Sequence, residues 1–139
     1  MEVNDLNQLP NDGIEHRSAQ IAAIPQDELE KILEEHKLWI DSSGKEGKRA
    51  ELGKAQLASA YLQGADLRGA NMQMANLYKA ELQMANFYKA DLSGANLQEA
   101  NLYKVSFKAA NLQGASFINA ELKLANLEAA NLEKADFRE

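Results

Sequence analysis

From Ala50 to the end of the chain, alanine stands at every fifth position, with Val105 as the single exception. Two places after each of these stands a large apolar residue, in an unbroken series from Leu52 through Met72, Phe87 and Phe107 to Phe137. Eighteen five-residue units fit without a gap. An α-helix cannot use this spacing, because five residues advance it by about 500°, roughly 140° net, and the large residues would spiral around every side. In extended chain, residues two apart share a face, so alanine and leucine point the same way and the residue between them points out. Five is odd, so a straight strand would turn the next pair to the opposite face. The chain must therefore change direction in every unit. A coil of short sides around a filled axis meets these conditions, and the pattern predicts an all-β solenoid over residues 50–139.

Before the repeats the pattern changes. Leu29, Ile32, Leu33, His36, Trp39 and Ile40 fall at helical spacing within "PQDELEKILEEHKLWI", residues 25–40, with charged residues between them. Pro25 suits a first turn, Asp27 and Glu28 suit the positive end of the helix dipole, and "DSSG" stops the helix. A solenoid leaves apolar cross-sections and unpaired edges at its two ends, so an amphipathic helix joined by a short loop is the expected cover for the first coil. Residues 25–49 are read as this capping helix and loop, with Leu29, Ile32, Leu33, His36 and Trp39 facing the coil and Trp39 as the plug. Residues 1–24 show no sustained period and read as a flexible leader, with at most a helical turn around "IEHRSAQIAAI".

Units such as "ADLRG", "ANLYK", "ADLSG" and "ANLQE" closely resemble the pentapeptide-repeat family, whose motif is Ala, then Asp or Asn, then Leu, then two variable residues. The resemblance implies a right-handed quadrilateral β-helix with four units per coil, in which residues twenty apart stack, and thus about 4.5 coils. The stretch "ILEEHKLWIDSSGKEGKRAEL" is similar to the leader that precedes the first repeat in many bacterial members, at Ile32, Leu33, His36, Trp39, Gly44, Gly47, Arg49 and Ala50. A bacterial source is implied by this alone. Val105, with two extra methyl groups where alanine is expected, suggests a local bulge.

Charge and composition narrow the chemistry. The formal net charge is −6, but residues 1–49 hold 11 acids against 6 bases while residues 50–139 hold 10 against 9. With no cysteine and two histidines, His16 and His36, both outside the repeats, no serine of the solenoid has a stacked histidine base. The acids Glu51, Asp66, Glu81, Asp91, Glu121 and Asp136 spread over different sides, so neither a metal site nor any other cofactor is expected, and the chain reads as not an enzyme. No apolar run approaches a membrane span, and "MEVNDLNQLPNDG" lacks the basic and apolar regions of a secretory signal, so a cytoplasmic protein without membrane contact is expected.

What remains is surface. Sorted by the twenty-residue register, the four sides sum to −1, −1, 0 and +1. On the neutral side Tyr61, Met84, Tyr103 and Leu124 point outward, and neighbouring sides add Tyr78, Tyr88, Met74 and Ile118. Tyrosine and methionine suit protein contacts, so the expected function is a rigid scaffold binding an unidentified protein partner. The family resemblance implies an alternative, a rod that imitates duplex DNA and modulates a type II topoisomerase such as gyrase. Duplex DNA, however, carries about one charge per 1.7 Å, and these repeats total −1, with asparagine at eight of the eighteen positions before the large residue. Nucleic-acid binding through Arg68, Tyr88, Lys89 and Lys108 is expected to be weak. Because the chain stops at "ADFRE", its last coil is open, which suggests a homodimer through that end or further flanking sequence.

Overall fold

The computed structural model describes residues 22–139; the leader up to residue 21, with His16 and most of the suggested helical turn, lies outside them. In the repeats, the second residue of each unit pairs in parallel with the residue twenty places on: Glu51 with Asn71, Gln56 with Asn76, Tyr61 with Glu81, Asp66 with Asn86, and so on to Ser116 with Asp136. Twenty residues thus close one circuit of four sides. Each side supplies a single bridging residue and then a turn, so the sheets are ladders of isolated bridges rather than longer strands.

The turn explains the five-residue word. The carbonyl of Leu52 accepts the N–H of Ala55 at 3.1 Å, and the same bond recurs from unit to unit. Only the fifth residue of each unit has positive φ, which is the type II arrangement. Four of these corner residues are Gly64, Gly69, Gly94 and Gly114, while the others, from Lys54 to Lys134, hold side chains at φ between 56° and 62°. A left-handed conformation costs a residue with a Cβ roughly 1–2 kcal/mol. It persists because ladder bonds fix the chain on both sides of each corner. Ala129, exposed and at φ 60°, carries this cost with no longer side chain to compensate. Ala129→Gly is expected to stabilise the fold by ~0.5–1 kcal/mol after the greater freedom of glycine in the unfolded chain is subtracted. A thermal melt that shows no gain would mean that the corner is unstrained.

The second residue has its own reason to be asparagine or aspartate. Its side-chain oxygen accepts the N–H of the fourth residue, as in Asn76 to Tyr78 (3.1 Å), Asn101 to Tyr103 (3.2 Å) and Asn126 to Glu128 (2.9 Å), which pins the turn. The asparagine amide also donates along the ladder, from Asn76 to Gln56 at 2.8 Å and from Asn131 to Asn111 at 3.2 Å. Two stacked aspartates could only repel.

Inside, the large residues from Leu52 to Phe117 are all buried, with alanine columns between them. Phe87 stacks on Phe107 at 5.2 Å in one column and Phe117 on Phe137 at 4.7 Å in the column of the opposite side, and Phe107 meets Phe117 edge-on across the core at 5.8 Å. Val105 makes no bulge. It is buried, its N–H reaches Leu102 and its carbonyl accepts Asn126, so the ladder runs through it unbroken. The two methyl groups are taken up by the core instead of displacing the backbone.

Helix α1, Gln26–Asp41, lies against the first coil. Pro25 sits just before its first turn, in extended conformation, and its carbonyl accepts Leu29 N–H. Leu29 is fully buried within the same apolar cluster as the first-coil leucines, and Ile32 and Leu33 pack beside it. Several groups at the unpaired upper edge of the coil are met one by one. Ile24 N–H donates to Gln56 O at 3.1 Å, in a parallel bridge between Ala23 and Gln56. Gln26 Nε2 donates to Tyr61 O at 3.3 Å, and Arg49 Nε donates to Gly69 O at 2.7 Å. Two further bonds come from His36, which is fully buried. Ala50 N–H donates to its Nδ1 at 3.0 Å, so Nδ1 is a lone pair, and Nε2–H donates to Arg68 O at 2.9 Å. The loop closes on α1 at Gly47, where a Cβ would lie 2.3 Å from Glu35 O.

Candidate interaction surface

We number the sides from the one that begins at Ala50. The first side is a flat polar ladder: Asn71 bonds Glu51 at 3.0 Å, and Gln113 bonds Glu133 at 2.9 Å. Burial pushes the Asp91 carboxyl up, but hydrogen bonds from Gln73 and Ser93 outweigh this and hold it below the usual range. The second side pairs Lys79 with Glu99 at 3.7 Å, and Tyr78 donates to the same glutamate at 3.1 Å. The fourth pairs Arg68 with Asp66 at 2.6 Å and Lys108 with Glu128 at 3.7 Å. Hydrogen bonds from Arg68 hold the Asp66 carboxyl below its ordinary range. Two of the four residues considered for nucleic acid, Arg68 and Lys108, are therefore engaged with carboxylates, and Tyr88 lies under the Lys89 ammonium at 5.3 Å.

The third side differs. Tyr61, Met84 and Leu124 are 64%, 61% and 63% exposed, and Tyr103 is half-buried beneath Lys104. Among the described residues, none of its charges, Glu81, Lys104, Glu121 and Lys123, takes part in an ion pair. Gln83 Oε1 on this side is buried without a donor. Tyr78 and Ile118 are half-buried on the second side, Tyr88 stands at the margin of exposure on the fourth, and Met74 is exposed on the first, where it lies across Gly94. The structure thus brings together Tyr61, Met84, Tyr103 and Leu124 and separates Tyr78 and Tyr88 from them.

At the helix, Leu29 and His36 are the fully buried residues, with Ile32 and Leu33 half-buried. Trp39 is half-buried at the rim, stacked on His36 at 5.4 Å and lying over Gly69, where it borders an open cleft with Arg68, Tyr88 and Lys89. Leu29 fills the place that sequence reasoning gave to Trp39. That reasoning also passed over Ala23 and Ile24, since edge pairing by backbone atoms leaves no side-chain signature, and it gave Arg49 no bonding role although its guanidinium reaches Gly69 O. Among the described residues no group of three or more His, Asp or Glu could hold a metal ion, and no helix is long and apolar enough to cross a membrane.

Pentapeptide repeats, in eight copies, match residues 55–94, 75–108 and 106–139. The chain is a pentapeptide-repeat protein. The fold of this family is the right-handed quadrilateral β-helix, which the twenty-residue ladder describes. Similar pentapeptide-repeat structures include Rfr23 from the cyanobacterium Cyanothece 51142, 33% identical with a TM-score of 0.64, covering 67% of this chain and 63% of that one. A pentapeptide-repeat protein from Nostoc PCC 7120 is 32% identical over 76% of this chain and 83% of its own, with a TM-score of 0.44. QnrB1, a plasmid-mediated fluoroquinolone resistance protein, is 25% identical with a TM-score of 0.32, covering 68% of this chain and 49% of that one. The chain spans less than two thirds of the Rfr23 chain. No curated protein matches it.

Proposed function

We propose that this pentapeptide-repeat protein is a non-catalytic scaffold: a rod of about 4.5 coils, closed at its first coil by α1, that offers its third side to another protein in the cytoplasm. One observation carries this reading. The third side alone combines three side chains more than 60% exposed, Tyr61, Met84 and Leu124, with charges that have no ionic partner among the described residues. On the second and fourth sides, by contrast, Glu99 and Glu128 are paired with lysines and Asp66 and Asp136 with arginines. Aromatic and methionine side chains on a rigid frame lose little freedom when covered, which favours association.

A photo-crosslinking residue placed at Met84 should capture a discrete protein in cells, while the same residue at Gln113 on the polar first side should not. Equal capture from both sides would remove the third side as the interface. The topoisomerase reading has the weaker footing, because the asparagines that dilute the negative field are held in turns and ladders. A supercoiling assay with gyrase is expected to show neither inhibition nor protection. The proposed end-to-end homodimer would use the last coil, where Leu122, Leu127 and Leu132 are half-buried and Phe137 is 42% exposed.

A further inference from the structure

The third side is electrically lopsided in a regular way. Viewed from outside, the second residue of each unit sits mid-side and the fourth and fifth sit at the following corner. The mid-side column reads Tyr61, Glu81, Asn101, Glu121, and the corner columns read Gln63, Gln83, Tyr103, Lys123 and Gly64, Met84, Lys104, Leu124. Both acids therefore stand on one flank and both cations on the other. The first coil adds a difference in shape: Tyr61 projects from mid-side, while the corner at Gly64 is open, with nothing within 4 Å of where a Cβ would stand.

Two rods laid side against side can be related by a two-fold axis parallel to the rods or across them. The crosswise axis sets each column against itself and brings acid against acid. The parallel axis keeps each coil level with its counterpart and exchanges the flanks, so the acids of one copy face the cations of the other. Glu121 then meets Lys123, Glu81 is within a coil of Lys104, and the Tyr61 ring meets the vacant corner at Gly64. A surface patch that is complementary to itself under a two-fold operation is what an isologous dimer requires.

We infer that the partner of the third side is a second copy of this chain, in a parallel, side-by-side dimer. This rests on the reading of that side as a protein interface and names its occupant. Opposed charges across such an interface supply orientation and selectivity, and charges left unpaired within one copy are paired between two. The patch is only about 20 Å by about 10 Å, small beside the ~800 Å² per partner of a standard stable interface, so the association is weak and reversible.

Sedimentation equilibrium of the full chain, over a wide concentration range and at low and high salt, should show a monomer–dimer equilibrium that weakens with salt. Glu121→Lys and Lys123→Glu, each alone, set like charges together twice and should weaken dimerisation by ~10-fold or more. An equimolar mixture of the two variants should recover a heterodimer, because both pairs are then opposite in charge again, one in its original sense and one reversed. Gly64→Arg should also abolish the dimer by filling the open corner. It should fold, since thirteen other fifth positions carry side chains at the same φ. A strict monomer at every concentration would overturn the dimer, yet leave the scaffold reading standing if Met84 still captures a different protein. A dimer that ignores both charge variants, or one that the mixture fails to restore, would place the contact elsewhere and also overturn it.

Discussion

Phe107→Ala should lower the melting temperature by roughly 10–20 °C, from a loss of ~3–5 kcal/mol for emptying a buried phenylalanine site. Phe107 is fully buried and lies between Phe87, stacked at 5.2 Å, and Phe117, edge-on at 5.8 Å. The surrounding backbone is held at both ends of each unit by turn and ladder bonds and cannot collapse into the void. Phe137→Ala makes the comparison. Phe137 is an inward residue of the opposite side and stacks on Phe117 at 4.7 Å, but it is 42% exposed in the last coil. Its removal should cost well under half as much and should be felt as fraying of the final coil, visible in amide exchange. In a solenoid, stability is a sum of nearest-neighbour terms, and an interior coil has two neighbours where the last has one. If the two substitutions lowered the melting temperature equally, the idea of a core interlocked through the middle of the rod would fail.

The second large effect is acid-driven loosening of α1 through His36. Burial holds its imidazole below the ordinary 6.5, and the Arg49 and Arg68 guanidinium groups push the same way; the bond to the Arg68 carbonyl and the Asp66 carboxylate oppose them. Protonation would place an N–H on Nδ1, directly against the Ala50 N–H. The sign follows from linkage. The unfolded chain binds a proton at about 6.5 and the folded chain does not, so the stability contributed by neutral His36 is complete above that pH. It is lost as pH falls, until the lowered folded value is reached. The slope is up to ~1.4 kcal/mol per pH unit. The carboxylates of Asp66, Asp91 and Asp136 lie lower, below 3.8, and act only in stronger acid. Denaturation midpoints measured from pH 7.5 to about 4.5 should therefore decline for the native chain and stay level for His36→Gln, which keeps a donor and an acceptor but does not titrate. Parallel curves for the two proteins would show that His36 is not the group responsible.

The solenoid is legible in the sequence because its core has only two kinds of inward position, and the five-residue period is incompatible with a helix. The spacing of Leu29, Ile32 and His36 also announces a helix with one apolar face. Less could be read where backbone atoms do the work. Nothing about Ala23 or Ile24 signals that they pair with Gln56, and nothing about Arg49 signals a bond to Gly69 O. The depth reached by Leu29 rather than Trp39 depends on where the helix axis crosses the coil, which periodicity does not contain. On the surface, the sequence could sort residues into sides and sum their charges. It could not show that Glu99 and Glu128 are tied to lysines while Glu81 and Glu121 are not, because pairing depends on rotamers across coils.

The ladder that joins each residue to the one twenty places on has a consequence for how such a chain can change in length. Removing residues 80–99 would bring Ala100 to the place of Ala80, leave a large apolar residue above another at every core position, and set Tyr61 against Asn101 in the bridge that Glu81 now fills. The new junction repeats the core and the ladder of the old one, while corner side chains change, Lys79 meeting Asn119 in place of Glu99. The rod can thus gain or shed whole circuits with its core and ladder intact, whereas a change of five or ten residues would rotate every downstream side away from its present direction.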